Sequence, residues 1–318
     1  MSAPAISGFM VLRDGVAMGY PFVEAIVSAL PVCDEFLVSD GYSSDDTLAV
    51  LERLKEIFPE KIRLHQHRWT TEPDNGRVIA TVSNALLAEC RGRHCLYVQG
   101  NEILHESARQ EVRALPELYP EIELFKLPFL SYGGAVALTD CEFRRRLFVN
   151  TPRIALQGDA YDAGYEKWQL LKQPRRFASY LLHREGEMLC YLRDGFHRYR
   201  GVFPEPYLKK LEVRGSQYKD PHLAMIFRKI YQHAAQTLEA VRRAGQGTGA
   251  FWQEVVRMLD RERLDELQER GHAIAGLETA LPTQGGAHPK IMADLFQQWR
   301  YDPWSSLARV AREKQAVS

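Results

Sequence analysis

Two short segments of the chain carry residue types suited to a phosphorylated sugar. Val38 to Thr47 reads VSDGYSSDDT, an acidic turn directly after the apolar run from Glu35 to Val38, and Gln99 to Glu102 reads QGNE after a second apolar run, His94 to Val98. An aspartate at the carboxyl end of a buried strand lies where open α/β sheets receive ligands, in the crevice beyond the strand ends, and Asp40 holds that position. Around a diphosphate, two carboxylates normally hold a divalent cation, because hard cations take oxygen ligands and neutralise phosphate charge. QGNE offers one carboxylate, Glu102; Gln99 and Asn101 are amides, which ligate through oxygen without adding charge. The spacing therefore predicts a nucleotide-sugar site whose Mg²⁺ or Mn²⁺ is weakly held by Glu102 and Asn101. A metal-independent site in which arginines and lysines carry the charge, or a site that has lost activity, are the next readings.

These segments need a sheet behind them. Strand-like runs at Ile6–Leu12, Glu35–Val38, Lys61–His65, His94–Val98 and Glu123–Phe129 alternate with helical stripes, the pattern of an α/β chain with a mostly parallel central sheet flanked by helices. Apolar residues at 22, 23, 26, 27 and 30, and at 48, 50, 51, 54 and 57, each line one face of a helix turned to that sheet. Asp45 or Asp46 is the expected cap of the second helix, since an acidic side chain there satisfies free N–H groups and suits the dipole. Val78–Cys90 gives a third helix, with Gly92 just beyond. Residues 132–199 carry glycine pairs and many arginines without a clear period, as long loops with short strands do. From Pro221 the pattern turns helical: Leu223–Arg243 and Phe251–Gln268, joined by the flexible Ala244–Gly249, then a Gly-rich stretch at Thr283–Ala287 and a final helix.

Composition narrows the field. The 318 residues suffice for one large α/β domain with an elaborated end, and 41 basic against 41 acidic residues leave no overall field to attract nucleic acid or an acidic membrane. The five cysteines form no CxxC pair and no zinc spacing, and their odd number excludes a complete disulfide framework, so a reducing cytoplasm is the expected home. The opening residues, Met1 to Pro4, lead straight into a strand-like run too short for a signal sequence or a membrane span.

Taken in order, Ile6–Val16, Tyr20–Thr47, Trp69, Ser83–Asn84 and Leu96–Glu106 resemble the nucleotide-binding half of a family 2 glycosyltransferase with the GT-A fold, over about the first third of the chain. More narrowly, the chain is similar to a bacterial subgroup that carries QADE, a hydrophobic residue and HE, then RR-x-R-x-x-x-N, then GDA, then a histidine-aromatic block before a proline. Here the later motifs are Arg144–Asn150, Gly158–Ala160 and His197–Pro206. The resemblance implies a GT-A-like catalytic domain over residues 1–220, with 1–130 for the nucleotide sugar and 131–220 for the acceptor and loops, followed by a helical C-terminal extension, 221–318.

The resemblance also implies roles. Asp40 accepts hydrogen bonds from the base or ribose, or else only starts a turn with Gly41 and Ser43. Arg13 reaches a phosphate or the base edge, or pairs with Asp14 or Asp40 as structural glue. Trp69 lies near the nucleotide or sugar, and Asn84 and Gln99 approach the donor. Arg144, Arg145 and Arg146 are consecutive, so in a strand they point to alternate faces and cannot all serve one site; Arg145 is the donor-binding candidate. A mobile loop carrying His197, Arg198 and Arg200 closes over the donor, and His197 is also a metal candidate. Lys209 and Lys210 are expected on a solvated face. Asp159, in the Gly-Asp-Ala turn, is the candidate general base for inverting transfer, with Asp162 and then Asp140 as rivals.

The donor expected is a UDP-sugar, and the acceptor a saccharide or lipid-linked saccharide of cell-surface glycan assembly. The amphipathic Leu223–Arg243 would pack on the catalytic domain, on a second subunit in a homodimer, or on a bilayer as a peripheral contact. The tail His288–Leu307 should fold back on the core through Trp299, Tyr301 and Trp304. A non-catalytic nucleotide- or carbohydrate-binding protein with a decayed metal site is the competing class, and a transferase acting on DNA is a further one. A dinucleotide enzyme is excluded by the absence of G-x-G-x-x-G after the first strand.

Overall fold

Strand β1 (Ile6–Leu12) is buried at every position because it has parallel partners on both edges and helices on both faces. The computed structural model describes residues 5–70, 77–157, 160, 162–165, 186–190, 192, 194–217, 221–269 and 287–317. Chain order then runs α1 (Phe22–Ala29), β2 (Glu35–Asp40), α2 (Thr47–Ile57), β3 (Ile62–Gln66), α3 (Arg77–Leu87), β4 (His94–Tyr97), β5 (Glu102–Leu104) and α4 (Arg109–Leu118). It continues with β6 (Leu124–Gly133), β7 (Val136–Val149), β8 (Ile154–Gln157), β9 (Asp162–Tyr165), β10 (Glu187–Leu189) and β11 (Phe196–Gly201). The helices α5 (Pro204–Gln217), α6 (Pro221–Arg243), α7 (Thr248–Glu269) and α8 (Pro303–Val317) complete it.

The sheet has nine strands in the order β3-β2-β1-β4-β7-β6-β11-β5, with β10 on β6. β1 to β4 are mutually parallel, and Leu12 lies level with Asp40, so the strand-end turns open at one edge. β7 runs antiparallel to β4 and β6, and β5 antiparallel to β11. The chain is thus a mixed α/β fold around one central sheet, as its alternating pattern implied.

Against the expectation of long loops with short strands over residues 132–199, β8, β9 and β10 are short, but β7 runs for 14 residues. β6 and β7 form a long hairpin turned at Gly134, whose φ of +57° suits a residue without a Cβ. The arginines of β7 defeat a reading by hydrophobic period because two of them are matched inside the fold: Arg145 to Glu187 and Arg146 to Glu102. His197–Arg200 also differs from the expected mobile loop. It lies in β11, hydrogen-bonded to β6 on one side and β5 on the other, with His197 fully buried.

α6 turns Ile230, Ala234, Leu238 and Val241 into a cluster with Tyr207, Phe251, Trp252 and Val255, so its apolar stripe packs within the chain. Trp252 anchors this cluster to the hairpin: its indole donates to the Val202 carbonyl at 2.9 Å, and a Cβ on Gly134 or Gly201 would come within 2.3 and 2.4 Å of its ring. α8 returns to α1 and α2. There the Tyr301 hydroxyl donates to buried Glu24 at 2.7 Å and Arg309 reaches the same carboxylate at 3.0 Å. Trp299 packs on the α5–α7 cluster, whereas Trp304, expected in the core, is 45% exposed. Lys210, expected on a solvated face, is buried, with its ammonium over the Tyr20 ring and donating to the Arg200 carbonyl at 2.9 Å. No helix among the described residues is long and apolar enough to cross a membrane.

Candidate functional site

At the carboxyl edge of β1, β2 and β3, three loops are knitted together by short side chains. Asp40, fully buried, accepts from Ser43 Oγ at 2.5 Å and from Gln66 Nε2 at 3.3 Å. Asp14 accepts from Ser44 N at 2.7 Å, and Ser43 Oγ accepts from Asp14 N at 2.8 Å. Asp45 accepts from Ala17 N at 2.7 Å and Thr47 N at 3.0 Å, so it is Asp45 that satisfies the first turn of α2, while Asp46 makes no capping bond. Asp40 therefore has the turn-forming role with Ser43, and Arg13 pairs loosely with Asp14 at 3.6 Å.

Trp69 lies against this knot. A Cβ on Gly41 would stand 2.7 Å from its Nε1 and 2.9 Å from the Arg13 Cβ, so glycine is what lets the indole approach the strand end. The Trp69 Nε1–H is buried and has no acceptor among the described residues. Tyr42, 47% exposed, has a φ of +58° and carries the Arg68 guanidinium 4.5 Å from its ring centre. Asp14 and Ala160 are the other non-glycine residues with left-handed backbone among those described. Such backbone costs on the order of 1–3 kcal/mol per residue and gathers where a ligand site requires it. Arg68 and Tyr42 were not singled out from sequence, although a basic residue just beyond a strand end and next to Trp69 was a readable signal.

The QGNE turn is organised differently from its expected use. Glu102 and Arg146 are both fully buried and meet through two hydrogen bonds, 2.8 and 3.0 Å, with the guanidinium also over the rings of Tyr97 and Phe129. Glu102 Oε2 additionally accepts from Gln99 N at 3.1 Å. The Asn101 amide donates to the Tyr199 carbonyl at 2.8 Å. Glu102 does not fit a divalent cation, because its carboxylate already has its countercharge; β11 orients the Asn101 amide through Nδ2, and its oxygen adds no charge. Gln99 Nε2 donates to the Ala160 carbonyl at 3.3 Å, which brings the turn after β8 beside QGNE.

The remaining candidates separate. Both faces of the Asn84 amide are used by Leu156, Nδ2 donating to its carbonyl at 2.9 Å and Oδ1 accepting from its N–H at 2.8 Å, so Asn84 clamps β8 to α3. Arg145 donates two bonds, each 3.1 Å, to Glu187. Arg200 lies in β11 beside Lys210. Asp159 falls outside the described residues, and of Asp162 and Asp140 only the strand membership, in β9 and β7, is described.

His197 belongs to a second cluster. With His105 and Asp194 it forms a group whose candidate ligand atoms all lie within 4.8 Å of one another. Neither ring nitrogen of His197 has a partner among the described residues, and burial, with His105 and His288 adding to it, pushes its pKa down to about 3. His105 continued the QGNE match in sequence, but Asp194 carried no signal there, being brought to it by the pairing of β5 with β11.

No family model matches the chain. No curated protein matches it. Among solved structures it aligns with S. aureus TarS 1-349 over 70% of this chain and 69% of that one, at 12% identity and a TM-score of 0.39. TarS 1-349 in complex with UDP-GlcNAc aligns over 72% of each chain, at 12% identity and a TM-score of 0.37. The mannosyltransferase PcManGT from Pyrobaculum calidifontis, in complex with GDP-Man and Mn²⁺, aligns over 99% of this chain and 88% of that one, at 11% identity and a TM-score of 0.38. Likeness this shallow carries no argument about activity, and the residues themselves must carry it.

Proposed function

We propose that the chain is a glycosyltransferase that takes a sugar from a nucleotide-sugar donor, a UDP-sugar first, and passes it to a hydroxyl acceptor on a saccharide or lipid-linked saccharide. The observation that carries this reading is the buried, unpartnered indole N–H of Trp69, held over Gly41 between Arg13 and the Asp40 turn. A buried donor without an acceptor costs about 1–3 kcal/mol, so a ligand that supplies one is favoured there. An indole and an exposed Tyr42 offer stacking faces for a base, and Arg13 and Arg68 offer cations for a diphosphate. The motif order along the first third of the sequence gives the same assignment to this edge.

In the proposed transfer the acceptor oxygen attacks the anomeric carbon, the bond to the diphosphate breaks, and its electron pair leaves on the phosphate oxygen. Asp159 takes the acceptor proton, with Asp162 as the alternative, giving inversion. Arginine cations stabilise the departing diphosphate without a metal held by Glu102. Thermal-shift screening of UDP-, GDP-, CMP- and dTDP-sugars, each with and without Mn²⁺, tests the donor, since a ligand that binds the folded state raises its apparent stability. Stabilisation by one nucleotide, followed by release of that nucleotide when acceptor is added, is expected. Failure of every nucleotide to stabilise the protein sinks the reading; binding without turnover would favour a non-catalytic nucleotide-binding protein.

A further inference from the structure

His105, just after β5, and Asp194 and His197, just before and within β11, come together because those two strands, far apart in sequence, are adjacent in the sheet. β5 pairs antiparallel with β11, His197 lies level with Ile103, and the His105 N–H donates to the Gly195 carbonyl at 2.9 Å. Strand alternation sends His197 and its neighbour Arg198 to opposite faces. Arg198 reaches Ser131 Oγ at 3.1 Å, whereas the His197 ring lies 5.1 Å from that of His105. His197 therefore lies on the face of β11 opposite Arg198, the residue level with Glu102.

The hydrogen bonds fix which atoms face inward. His105 Nε2 contacts the Ala287 carbonyl at 3.0 Å, and a carbonyl only accepts, so Nε2 carries the proton. His105 Nδ1 is held by Ser107, 2.8 Å from its Oγ and 3.2 Å from its N, and stands 3.6 Å from Asp194 Oδ2. Ser107 Oγ donates to the same Asp194 oxygen at 2.5 Å. The result is an imidazole nitrogen near a carboxylate oxygen, bridged by Ser107, whose contacts a cation would displace, beside a buried imidazole with two nitrogens unpartnered among the described residues. Histidine tied to a backbone carbonyl through its outer nitrogen is the usual posture of a metal ligand, because that bond sets tautomer and ring orientation.

We propose that His105, Asp194 and His197 bind a borderline divalent transition cation, with Zn²⁺ as its representative, in a site that pins β5 and β11 to the C-terminal segment beginning at Ala287. Two imidazoles and one carboxylate suit Zn²⁺ and its neighbours, whereas Mg²⁺ prefers an all-oxygen shell. Tetrahedral ligands about 2.1 Å from zinc stand about 3.4 Å apart. The His105–Asp194 pair, at 3.6 Å, is near that spacing already, and a ligand atom of His197 lies within 4.8 Å of both. The 3-10 turn Lys290–Leu295, with Met292 and Leu295 buried, follows Ala287 directly, so the ion would stabilise the docking of this segment. The assignment does not depend on the proposed transferase activity.

The test uses the full chain, stripped with a strong chelator and dialysed. Expected are one equivalent of Zn²⁺ bound in titration, a rise in Tm on reloading, Co²⁺ bands of a low-symmetry site in the visible spectrum, and no comparable response to Mg²⁺. Asp194→Asn and His105→Gln should each weaken Zn²⁺ binding by at least about 100-fold, while any stabilisation by a nucleotide sugar stays as in the parent protein. His197→Phe should abolish binding; if it fails to fold, the two rim variants decide the matter. Absence of a stoichiometric Zn²⁺ or Co²⁺ site overturns the proposal, as does binding that survives both Asp194→Asn and His105→Gln.

Discussion

Replacing Glu102 with glutamine distinguishes a structural carboxylate from a metal ligand. Glu102 and Arg146 are fully buried and joined at 2.8 and 3.0 Å, so the substitution leaves a guanidinium without its countercharge. Unit charges about 4 Å apart attract by about 4 kcal/mol at an effective dielectric of about 20, and breaking a buried pair by removing one partner costs about 3–5 kcal/mol. Glu102→Gln is therefore expected to lose about 3–5 kcal/mol of unfolding free energy, read by urea denaturation followed through tryptophan fluorescence. Arg146→Met should lose a similar amount, and the double variant Glu102→Leu/Arg146→Met clearly less than the sum, because no lone charge stays buried. Chelator should leave the cost of Glu102→Gln unchanged. A loss under about 1 kcal/mol, together with loss of Mn²⁺-dependent nucleotide binding, would refute the structural role and return Glu102 to the metal.

Other consequences can be measured directly. Trp69→Phe removes an unpartnered buried donor, so it should leave Tm unchanged or raised while weakening nucleotide-sugar affinity by about tenfold, measured by calorimetry. Gly201→Ala forces a Cβ to within 2.4 Å of the Trp252 ring and should cost about 1–3 kcal/mol by denaturation, through displacement of α7 from the hairpin. Burial pushes the Glu187 carboxyl up, but Lys126 and Arg145 outweigh it and hold the pKa below its ordinary 4.5. The stabilisation from this cluster is thus complete above about pH 4.5 and is lost as pH falls through the lower folded value; Glu187→Gln should be less stable at neutral pH and lose less on acidification, in denaturation series across that range.

The first half of the molecule was largely legible. β1 spans the run Ile6–Leu12 and α2 spans Thr47–Ile57, as their patterns indicated, because a strand covered on both faces must be apolar throughout and a helix on a sheet must carry one stripe. Asp40 at a strand end and Trp69 beyond another were also readable. The helices after Pro221 were legible too, but β7 was not, because it threads Arg145 and Arg146 through the sheet, and a buried arginine reads as surface until its partner is known.

What the sequence alone determined is the α/β alternation, the strand-end turns and the residue types gathered at one sheet edge, all set by local period and turn chemistry. Tertiary structure decided which charges neutralise one another. Glu102 is separated from Arg146 by 44 positions, and His105 from Asp194 by the β5–β11 pairing, so no local pattern relates them. A charge or a lone pair acquires its role from the group that faces it after burial, and chain folding alone brings that group there.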